Sequence, residues 1–410
     1  MSQFEDFSSA SAKLSTDQRN RGFAAMIFGR MLRNVHSGHI RITLPSGVTI
    51  EKRGLQAGPE ALIVVRRWRA LKRLVTAGDI GFAEGYIDGD WTTPDLTSVI
   101  RFAAKNVESL NSAMRGSAPA RMFNRLLHLL NANTKRGSRR NIEAHYDLGN
   151  NFYSQWLDPS MLYSSALYDR STVSLEAAQQ NKLALISEKL AVDPGDRVLE
   201  IGCGWGALAS YLASNAKASV TGITLSPSQL AWAERVVAEQ GLQDQVDLRL
   251  QDYRDTNGQF DRIVSIEMFE AVGEKYWPTY FETIRRCLKP GGRAVLQIIS
   301  IREDRFEGYR NSADFIQKYV FPGGFLPSDS ALDVAVSRAG LKLRETFHFG
   351  KSYARTLAEW RSRFFANWPH IAAQGFDTKF RRLWDYYLCY CEAGFEEETI
   401  NVGLYTITHA

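Results

Sequence analysis

Cysteine is scarce in this sequence, and none of the four cysteines stands in the C-x-x-C spacing that is typical of a zinc site. Four cysteines in 410 residues also argue against a disulfide scaffold, so we expect a reducing, cytoplasmic environment. No stretch approaches the roughly 18 consecutive apolar residues that cross a membrane. The first 14 residues are polar and acidic, which argues against a secretory signal. These absences leave a cytoplasmic globular protein without a structural metal as the expected class.

Positive charge is concentrated at one end of the chain. Residues 1–140 contain 22 Lys or Arg and 11 Asp or Glu, or +11, whereas the remainder contains 28 and 34, or −6. A basic first third predicts an anionic partner surface, either phospholipid headgroups or nucleic acid. A charged domain with no such partner is the alternative, and the sign of the charge alone does not decide between them.

The segment Ser15–Gly38 predicts an amphipathic helix, because its apolar side chains fall on one face. These apolar residues are Phe23, Ile27, Phe28, Met31, Leu32 and Val35. Such a helix either lies on a bilayer surface or packs against the core of its own domain, and the second arrangement is the commoner one. Strand-like alternation follows over His39–Pro45 and Val48–Arg53, and the intervening Ser46-Gly47 pair predicts a hairpin.

A polar, basic segment without periodicity, Asn131–Asn141, follows an apolar helical stretch at Ala120–Asn131. This composition is typical of a linker. The sequence therefore predicts a basic N-terminal domain over 1–140, which docks lipid or membrane, and a second domain over 141–410.

From residue 141 onward, short β-branched runs alternate with helical stretches. The predicted strands are Arg197–Ile201, Ser219–Ile223, Val246–Leu250, Arg262–Ile266 and Arg293–Ile299. The helices between them include Ala207–Ala213, Pro227–Gln240 and Trp277–Leu288. This alternation predicts an α/β domain whose parallel sheet has helices on both faces. An insertion at about 300–330 precedes a strand at Leu341–Phe349, and a strand at Gly403–Thr408 ends the chain.

The first predicted strand of this domain runs into Glu200 and then into Gly202-Cys203-Gly204-Trp205-Gly206. Glycines at the carboxyl end of a strand let the backbone turn tightly and approach a ligand closely. The G-K-[ST] of a nucleotide triphosphate site is absent. The second strand ends in Gly222-Ile223-Thr224-Leu225, without the acidic residue that would bind a dinucleotide ribose. The pattern therefore favours S-adenosyl-L-methionine over NAD.

The third and fourth predicted strands end in further polar residues. Asp252 follows the third strand, where its carboxylate either accepts a hydrogen bond from the adenine amino group or serves as a turn or cap residue. The fourth strand leads into Glu267 and Glu270. The Asn/Asp-Pro-Pro-Tyr of enzymes that methylate base amines is absent there, which argues against a nucleic-acid base as substrate.

Five motifs occur in order along the chain. They are His145-Tyr146-Asp147-Leu148-Gly149-Asn150, Met161-Leu162-Tyr163-Ser164, Gly202-Cys203-Gly204-Trp205-Gly206, Met268-Phe269-Glu270 and Phe321-Pro322-Gly323-Gly324. Together they resemble the cyclopropane fatty acid synthase family, which includes the mycolic acid methyltransferases, and the likeness runs from about Gly81 to the C-terminus. The resemblance implies an α/β fold: a class I methyltransferase Rossmann-like doubly wound sheet with a smaller N-terminal α+β domain.

The resemblance also implies a set of contacts to S-adenosyl-L-methionine. These are Tyr163, Ser164, Glu200, Gly202, Gly204, Thr224, Leu225, Gln229, Gln251, Asp252 and Tyr253. The implied reaction is attack of a cis double bond on the sulfonium methyl, which leaves a carbocation on the lipid chain. Such a site must orient a poor nucleophile, exclude water and stabilise positive charge. The insertion residues Phe315, Tyr319, Phe321 and Phe325 are candidates for an acyl-channel wall, with ordinary packing as the equal alternative.

Family members use a bound bicarbonate ion to remove a proton from the new methyl group. The implied bicarbonate-binding and catalytic residues are Ser165, Glu270, Gln297, Ile299 and Tyr353. The chain departs from the family pattern at three positions. Members typically have cysteine where this chain has Ser165, histidine where it has Gln297 and histidine where it has Ala271. At 165 and 299 the contact is a backbone N–H, and Gln297 still donates a hydrogen bond but carries no charge. Glu267 replaces a common glycine, and it is either an alternative base or, as we expect, a solvated loop carboxylate.

The sequence thus predicts a lipid C-methyltransferase that acts on unsaturated phospholipid acyl chains, peripheral to the inner face of the membrane. A cyclopropane is the expected product, and a methyl-branched unsaturated chain is the alternative. No nucleic-acid partner is expected, and a homodimer is left open. An RNA methyltransferase and a relative that has lost its chemistry are more remote hypotheses.

Overall fold

The computed structural model describes residues 22, 24, 26–114, 134, 137 and 148–410. Contacts between Cα atoms divide the chain into two compact units: Met1–Asn124 with Asp377–Ala393, and Arg125–Phe376 with Gly394–Ala410. The predicted helix at Ala120–Asn131 lies outside the described residues, as does the predicted linker apart from two isolated positions. The domain boundary near residue 140 therefore stays a prediction.

The first unit contains a four-stranded sheet in the order β2-β1-β3-β4. The strands are β1 (Ser37–Thr43), β2 (Thr49–Arg53), β3 (Gln56–Val65) and β4 (Trp91–Thr92). Its helices are Arg69–Ile87, Leu96–Lys105, Val107–Met114 and most of Thr378–Glu396. The predicted hairpin is confirmed, because β1 and β2 pair antiparallel and Gly47 takes the left-handed conformation, with φ +82°, in the turn.

Residues 26–31 are helical, and of the predicted apolar stripe Phe28, Leu32 and Val35 are buried, whereas Ile27 and Met31 are partly buried. Phe28, Leu32 and Val35 are only 4–5% exposed, whereas Arg30 and Arg33 are exposed. The predicted helix was expected either to lie on a bilayer or to pack against its own domain. In the described part, Phe28, Leu32 and Val35 pack into the protein and have almost no exposed surface that could contact a bilayer.

The second unit contains a seven-stranded sheet in the order β10-β11-β9-β8-β5-β6-β7. The strands are β5 (Arg197–Ile201), β6 (Ser219–Thr224), β7 (Val246–Leu250), β8 (Phe260–Ile266), β9 (Leu288–Ile301), β10 (Leu341–His348) and β11 (Ile400–His409). Strands β5 to β9 run parallel, and β11 lies antiparallel between β10 and β9. The predicted doubly wound α/β sheet is confirmed.

Helices and short turns connect these strands. The helices are Asn150–Tyr153, Leu175–Leu190, Ala207–Ala216, Pro227–Glu239, Trp277–Cys287, Glu303–Arg310, Phe315–Tyr319, Asp329–Arg338, Gly350–Ala366 and Trp368–Ala372. Three single turns of 3₁₀ helix occur at Tyr253–Asp255, Phe269–Ala271 and Glu274–Tyr276. Because strands β5 to β8 are parallel, the loops after them meet at one edge of the sheet, which is where ligands bind in this architecture.

Within the described part of the chain, no helix is long and apolar enough to cross a bilayer. The same residues contain no group of three His, Cys, Asp or Glu side chains that could hold a metal ion.

Candidate active site

The loop after β5 is built around three glycines in the left-handed conformation. Gly202 and Gly206 have φ +87° and Gly204 has φ +53°. A Cβ at Gly206 would lie 2.9 Å from Ala233 Cβ, so glycine is needed there for close packing, whereas a Cβ at Gly204 would meet no atom of the described residues within 4 Å. The loop thus packs tightly at its end and leaves open space at its middle, as a ligand cradle requires.

Glu200 precedes this loop and is 3% exposed. Its Oε2 has no hydrogen-bond partner among the described residues, and burial raises the pKa of the carboxyl to about 8 against a small opposing effect of the Ala209 N–H. A buried polar atom without a partner is costly unless a ligand or water satisfies it. Glu200 therefore has the character of a ligand-binding group.

The ends of β6 and β7 bring the next predicted contacts together. The Thr224 hydroxyl donates to Gln229 Oε1 at 3.0 Å, and the Gln251 N–H donates to the Thr224 carbonyl at 3.0 Å. Leu225 follows Thr224 directly and is partly buried. Gln229 lies in the first turn of the helix Pro227–Glu239, which Ser226 caps. These residues line the sheet edge beside the glycine loop.

Asp252 serves as a turn and cap residue, which was one of its two predicted roles. It caps the 3₁₀ turn that begins at Tyr253, and its carboxylate accepts two hydrogen bonds from the Arg254 guanidinium, at 2.8 and 2.6 Å. The Tyr253 ring contacts Tyr280 edge-on, and burial raises its pKa to about 12. A contact from Asp252 to an adenine amino group stays a prediction.

Tyr163 and Ser164 lie in a buried aromatic and cationic environment. The Tyr163 ring has centroid distances of 5.3 to 5.4 Å to Tyr153, Trp156 and Trp360. The Ser164 hydroxyl accepts a hydrogen bond at 2.6 Å from Lys182 Nζ.

Lys182 is only 1% exposed, and burial lowers its pKa to about 8. Lys182 was not predicted as a site residue from the sequence, although its position was a signal. A lysine stands there on the buried face of the helix Leu175–Leu190, which otherwise carries apolar residues and Gln179.

Glu267 is held by three of the residues that the family resemblance assigns to bicarbonate. Its Oε1 accepts hydrogen bonds from the Ser165 N–H at 2.9 Å and from Gln297 Nε2 at 2.7 Å. Its Oε2 accepts from the Tyr353 hydroxyl at 2.6 Å. The expectation of a solvated loop carboxylate is therefore wrong, because the three donors enclose this side chain.

Glu270 has a poorer set of donors than Glu267. Its Oε1 accepts from the Ile299 N–H at 2.6 Å, and its Oε2 is buried without a partner among the described residues. Burial, followed by the nearby Glu267 charge, raises the pKa of Glu270 to about 8. Burial also raises the Glu267 pKa, but hydrogen bonds from Tyr353, Ser165 and Gln297 and the charge of Lys182 oppose it. Glu270 is therefore the carboxyl group of this pair for which the protonated form is favoured at neutral pH.

The glycine loop and this carboxylate cluster are adjacent. Strands β5 and β8 pair in parallel, so the residues that follow them emerge side by side. A Cβ at Gly202 would lie 3.0 Å from Met268 Cγ, in the segment between Glu267 and Glu270. The predicted methyl-donor contacts and the predicted catalytic residues thus meet at this point.

The aromatic residues of the insertion divide into two groups. Phe315 and Phe325 are 1% and 8% exposed, and the Phe325 ring contacts Trp277 and Tyr309 at centroid distances of 5.8 and 5.2 Å. Ordinary packing therefore accounts for these two residues. Tyr319 and Phe321 are only partly buried, so their role as a channel wall stays a prediction. The predicted motif residues His145, Tyr146 and Asp147 lie outside the described residues.

Comparison with known proteins gives one family. The family described as mycolic acid cyclopropane synthetase matches residues 133–404. The chain is 36% identical over 372 residues to tuberculostearic acid methyltransferase UfaA1 of Mycobacterium tuberculosis, covering 86% of this chain and 84% of that protein. It is 41% identical over 338 residues to cyclopropane-fatty-acyl-phospholipid synthase of Escherichia coli, covering 81% of this chain and 83% of that one.

A solved structure extends the comparison to three dimensions. The mycolic acid cyclopropane synthase CmaA1, complexed with SAH and CTAB, superposes with a TM-score of 0.62 at 29% identity. The match covers 66% of this chain and 97% of that one.

Proposed function

The chain belongs to the cyclopropane synthase family of S-adenosylmethionine-dependent methyltransferases, and from that membership we propose that it methylates a cis double bond in the acyl chains of phospholipids. The observation that carries the proposal is the adjacency of an open glycine cradle and a buried carboxylate cluster around Gly202 and Met268. The cradle suits a methyl donor, and the cluster suits removal of a proton from an alkylated hydrocarbon chain.

The residues of the cradle fit S-adenosyl-L-methionine. The space beside Gly204 leaves room for a ligand, and Glu200 Oε2, which has no hydrogen-bond partner among the described residues, offers it a polar contact. The related structure named above contains SAH, the demethylated form of the donor. The residues that would hold the donor are Tyr163, Ser164, Glu200, Gly202, Gly204, Thr224, Leu225, Gln229, Gln251, Asp252 and Tyr253. When bound, the donor supplies an electrophilic methyl group.

The protein must do the rest by positioning and by charge. An alkene is a weak nucleophile, so it has to be held close to the methyl group in a site without water, which would capture the carbocation. Aromatic faces attract positive charge. Tyr163 supports this part of the proposal, because its ring is only partly buried, is held by Tyr153, Trp156 and Trp360, and lies next to the predicted donor contact Ser164.

We propose a cyclopropane as the product. The 41% identical relative is named as a cyclopropane-forming enzyme, and the carboxyl groups of Glu267 and Glu270 offer a proton acceptor among the residues that the family resemblance assigns to bicarbonate. A methyl-branched chain is the second candidate, because the 36% identical relative is named as a methyltransferase of tuberculostearic acid and the chain departs from the family pattern at Ser165, Ala271 and Gln297.

Mass spectrometry of lipids tests the proposal directly. The chain is expressed in a host that makes no cyclopropane lipids, together with a methyl donor whose methyl group carries three deuterons. Phospholipid acyl chains with two retained deuterons would identify a cyclopropane, and three would identify a methyl branch. Labelled RNA without labelled lipid would overturn the proposal, and cells without the chain serve as the control.

A further inference from the structure

We propose that the carboxylate of Glu267 occupies the place of the bicarbonate ion of the family and is itself the proton acceptor of the reaction. This inference rests on the proposed function and deepens it. It replaces a dissociable ion with a side chain of this protein.

The hydrogen-bond donors of the implied bicarbonate site are already engaged. The Ser165 N–H, Gln297 Nε2 and Tyr353 hydroxyl donate to Glu267 at 2.9, 2.7 and 2.6 Å. The Ile299 N–H donates to Glu270 at 2.6 Å. A bicarbonate ion would meet two side-chain carboxyl groups instead of four donors. The residues present therefore do not fit bicarbonate, whereas they fit one fixed carboxylate.

The backbone at Glu267 supports this role. Its φ is +48°, in the left-handed region that a residue with a Cβ adopts at a cost of about 1 kcal/mol or more. The Glu267 N–H donates to the Gln297 carbonyl at 2.8 Å, which holds this conformation next to β9. Strain of this kind is common at functional sites, where it aims a side chain. Here the backbone conformation directs the Glu267 carboxylate toward the Ser165 N–H and the Tyr353 hydroxyl.

The charges around the pair suit one base and one neutral acid. Burial raises the pKa of Glu267, but three hydrogen bonds and the charge of the buried Lys182 oppose that rise. Glu270 Oε1 accepts from the Ile299 N–H, and its buried Oε2 has no partner among the described residues. Two adjacent carboxyl groups in different environments separate their roles in this way. Of the two carboxyl groups, Glu267 is therefore the one whose surroundings better accommodate a negative charge.

The chemical step balances with the groups named. After methyl transfer, the acyl chain carries a positive charge on the carbon beside the new methyl-bearing carbon. Glu267 takes a proton from the methyl group, and the electron pair of the broken C–H bond forms the third side of the ring. Carbocation and carboxylate thus become a neutral lipid and a neutral Glu267, which returns its proton to solvent before the next turnover.

The first test compares turnover with and without bicarbonate. The purified full chain is assayed on vesicles of unsaturated phospholipid, in buffer freed of carbon dioxide and in buffer with added bicarbonate. The wild type is expected to turn over equally in both. Glu267→Gln keeps the size of the side chain but removes the base, so its turnover should fall by roughly 10²- to 10⁴-fold. Its affinity for S-adenosylhomocysteine, measured by calorimetry, should stay within about twofold of the wild-type affinity, because Glu267 is not one of the predicted contacts to the methyl donor.

The second variant, Glu267→Gly, restores the glycine that the family commonly has and frees three donors for an ion. Its turnover should be negligible in buffer without carbon dioxide and should rise, with saturation, as bicarbonate is added. A wild type that depends on bicarbonate, or a folded Glu267→Gln variant with normal turnover, would overturn the inference. A wild type that methylates no phospholipid under any condition would instead refute the proposed function.

Discussion

Lys182 shows how one buried residue can set the charge of the site. A lysine that is 1% exposed loses its hydration, and burial accordingly lowers its pKa to about 8. Its charge acts on Glu267, where it opposes the rise in pKa that burial causes. Lys182 also donates to the hydroxyl of Ser164, a predicted methyl-donor contact. One cation therefore links the two halves of the site.

We expect Lys182→Met to shift the pH dependence of turnover toward higher pH. Without the cation, the pKa of Glu267 rises further above its ordinary value, so the carboxylate becomes protonated at a higher pH. Since the ionised form is the proposed base, the acid limb of the kcat profile should move upward and turnover at neutral pH should fall. The fold should tolerate the change, because methionine has a similar shape and no charge to bury.

The matched control is Lys342→Met, which removes a lysine from an exposed position on β10. Its kcat profile should superimpose on that of the wild type. If the Lys182 variant lowers turnover by the same factor at every pH, the lysine supports the structure of the site and does not set the charge of Glu267.

At the scale of elements, glycine has two different roles in the loop after β5: Gly206 allows close packing, and Gly204 leaves space for a ligand. Gly206→Ala should destabilise the protein by about 1–3 kcal/mol, because its Cβ would lie 2.9 Å from Ala233 Cβ in a left-handed conformation. Gly204→Ala meets no neighbour within the described part of the chain, so its cost should be only about 1 kcal/mol for the backbone, yet its methyl group enters the open cradle. Urea unfolding and calorimetric titration with S-adenosylhomocysteine measure the two effects.

The two variants are expected to differ in which property they lose. Gly206→Ala should lose more stability, and Gly204→Ala should lose more affinity for S-adenosylhomocysteine. Equal losses of affinity in two folded variants would show that the space beside Gly204 is not part of the donor site.

Local sequence patterns predicted most elements of the second unit. Strands β5 and β7 begin and end at the predicted residues, because β5 is a mainly apolar run and β7 alternates apolar and charged residues. The order of the strands in the sheet was harder to predict from the sequence. The position of β11 between β10 and β9 depends on pairings between distant segments, which no local pattern encodes. The same limit applies to Glu267. Its oddity was visible in the sequence, but its three donors come from segments distant in the chain, so only the fold reveals its partners.

At the scale of the whole molecule, the basic charge of the first unit is not all available for docking. Asp90 is fully buried and accepts hydrogen bonds from Arg69 at 2.8 Å and from Arg73 at 3.2 Å, so these arginines serve the internal structure. Arg30 and Arg33 differ, since they are exposed in the helix and the turn after it, where Phe28 and Leu32 are buried. Charges of this second kind are the ones that an anionic surface can attract.

We therefore expect the protein to bind vesicles that contain phosphatidylglycerol more tightly than vesicles of phosphatidylcholine alone, and to release them as salt is added. The double variant Arg30→Glu and Arg33→Glu should weaken this binding by at least about 2 kcal/mol, or roughly thirtyfold, since each basic residue near an anionic bilayer contributes about 1 kcal/mol. Sedimentation of the full chain with vesicles, across a salt series, measures the affinity.

The control for this variant makes the same change of charge in the second unit, with Arg338→Glu and Lys342→Glu at exposed positions. If binding depends on net charge alone, both double variants should lose the same affinity, and the location of the basic residues would be irrelevant. If the first unit docks the lipid surface, only the Arg30 and Arg33 variant should lose it. Binding to RNA that exceeds binding to anionic vesicles at equal salt would contradict a lipid surface as the partner and favour the nucleic-acid interpretation of the charge.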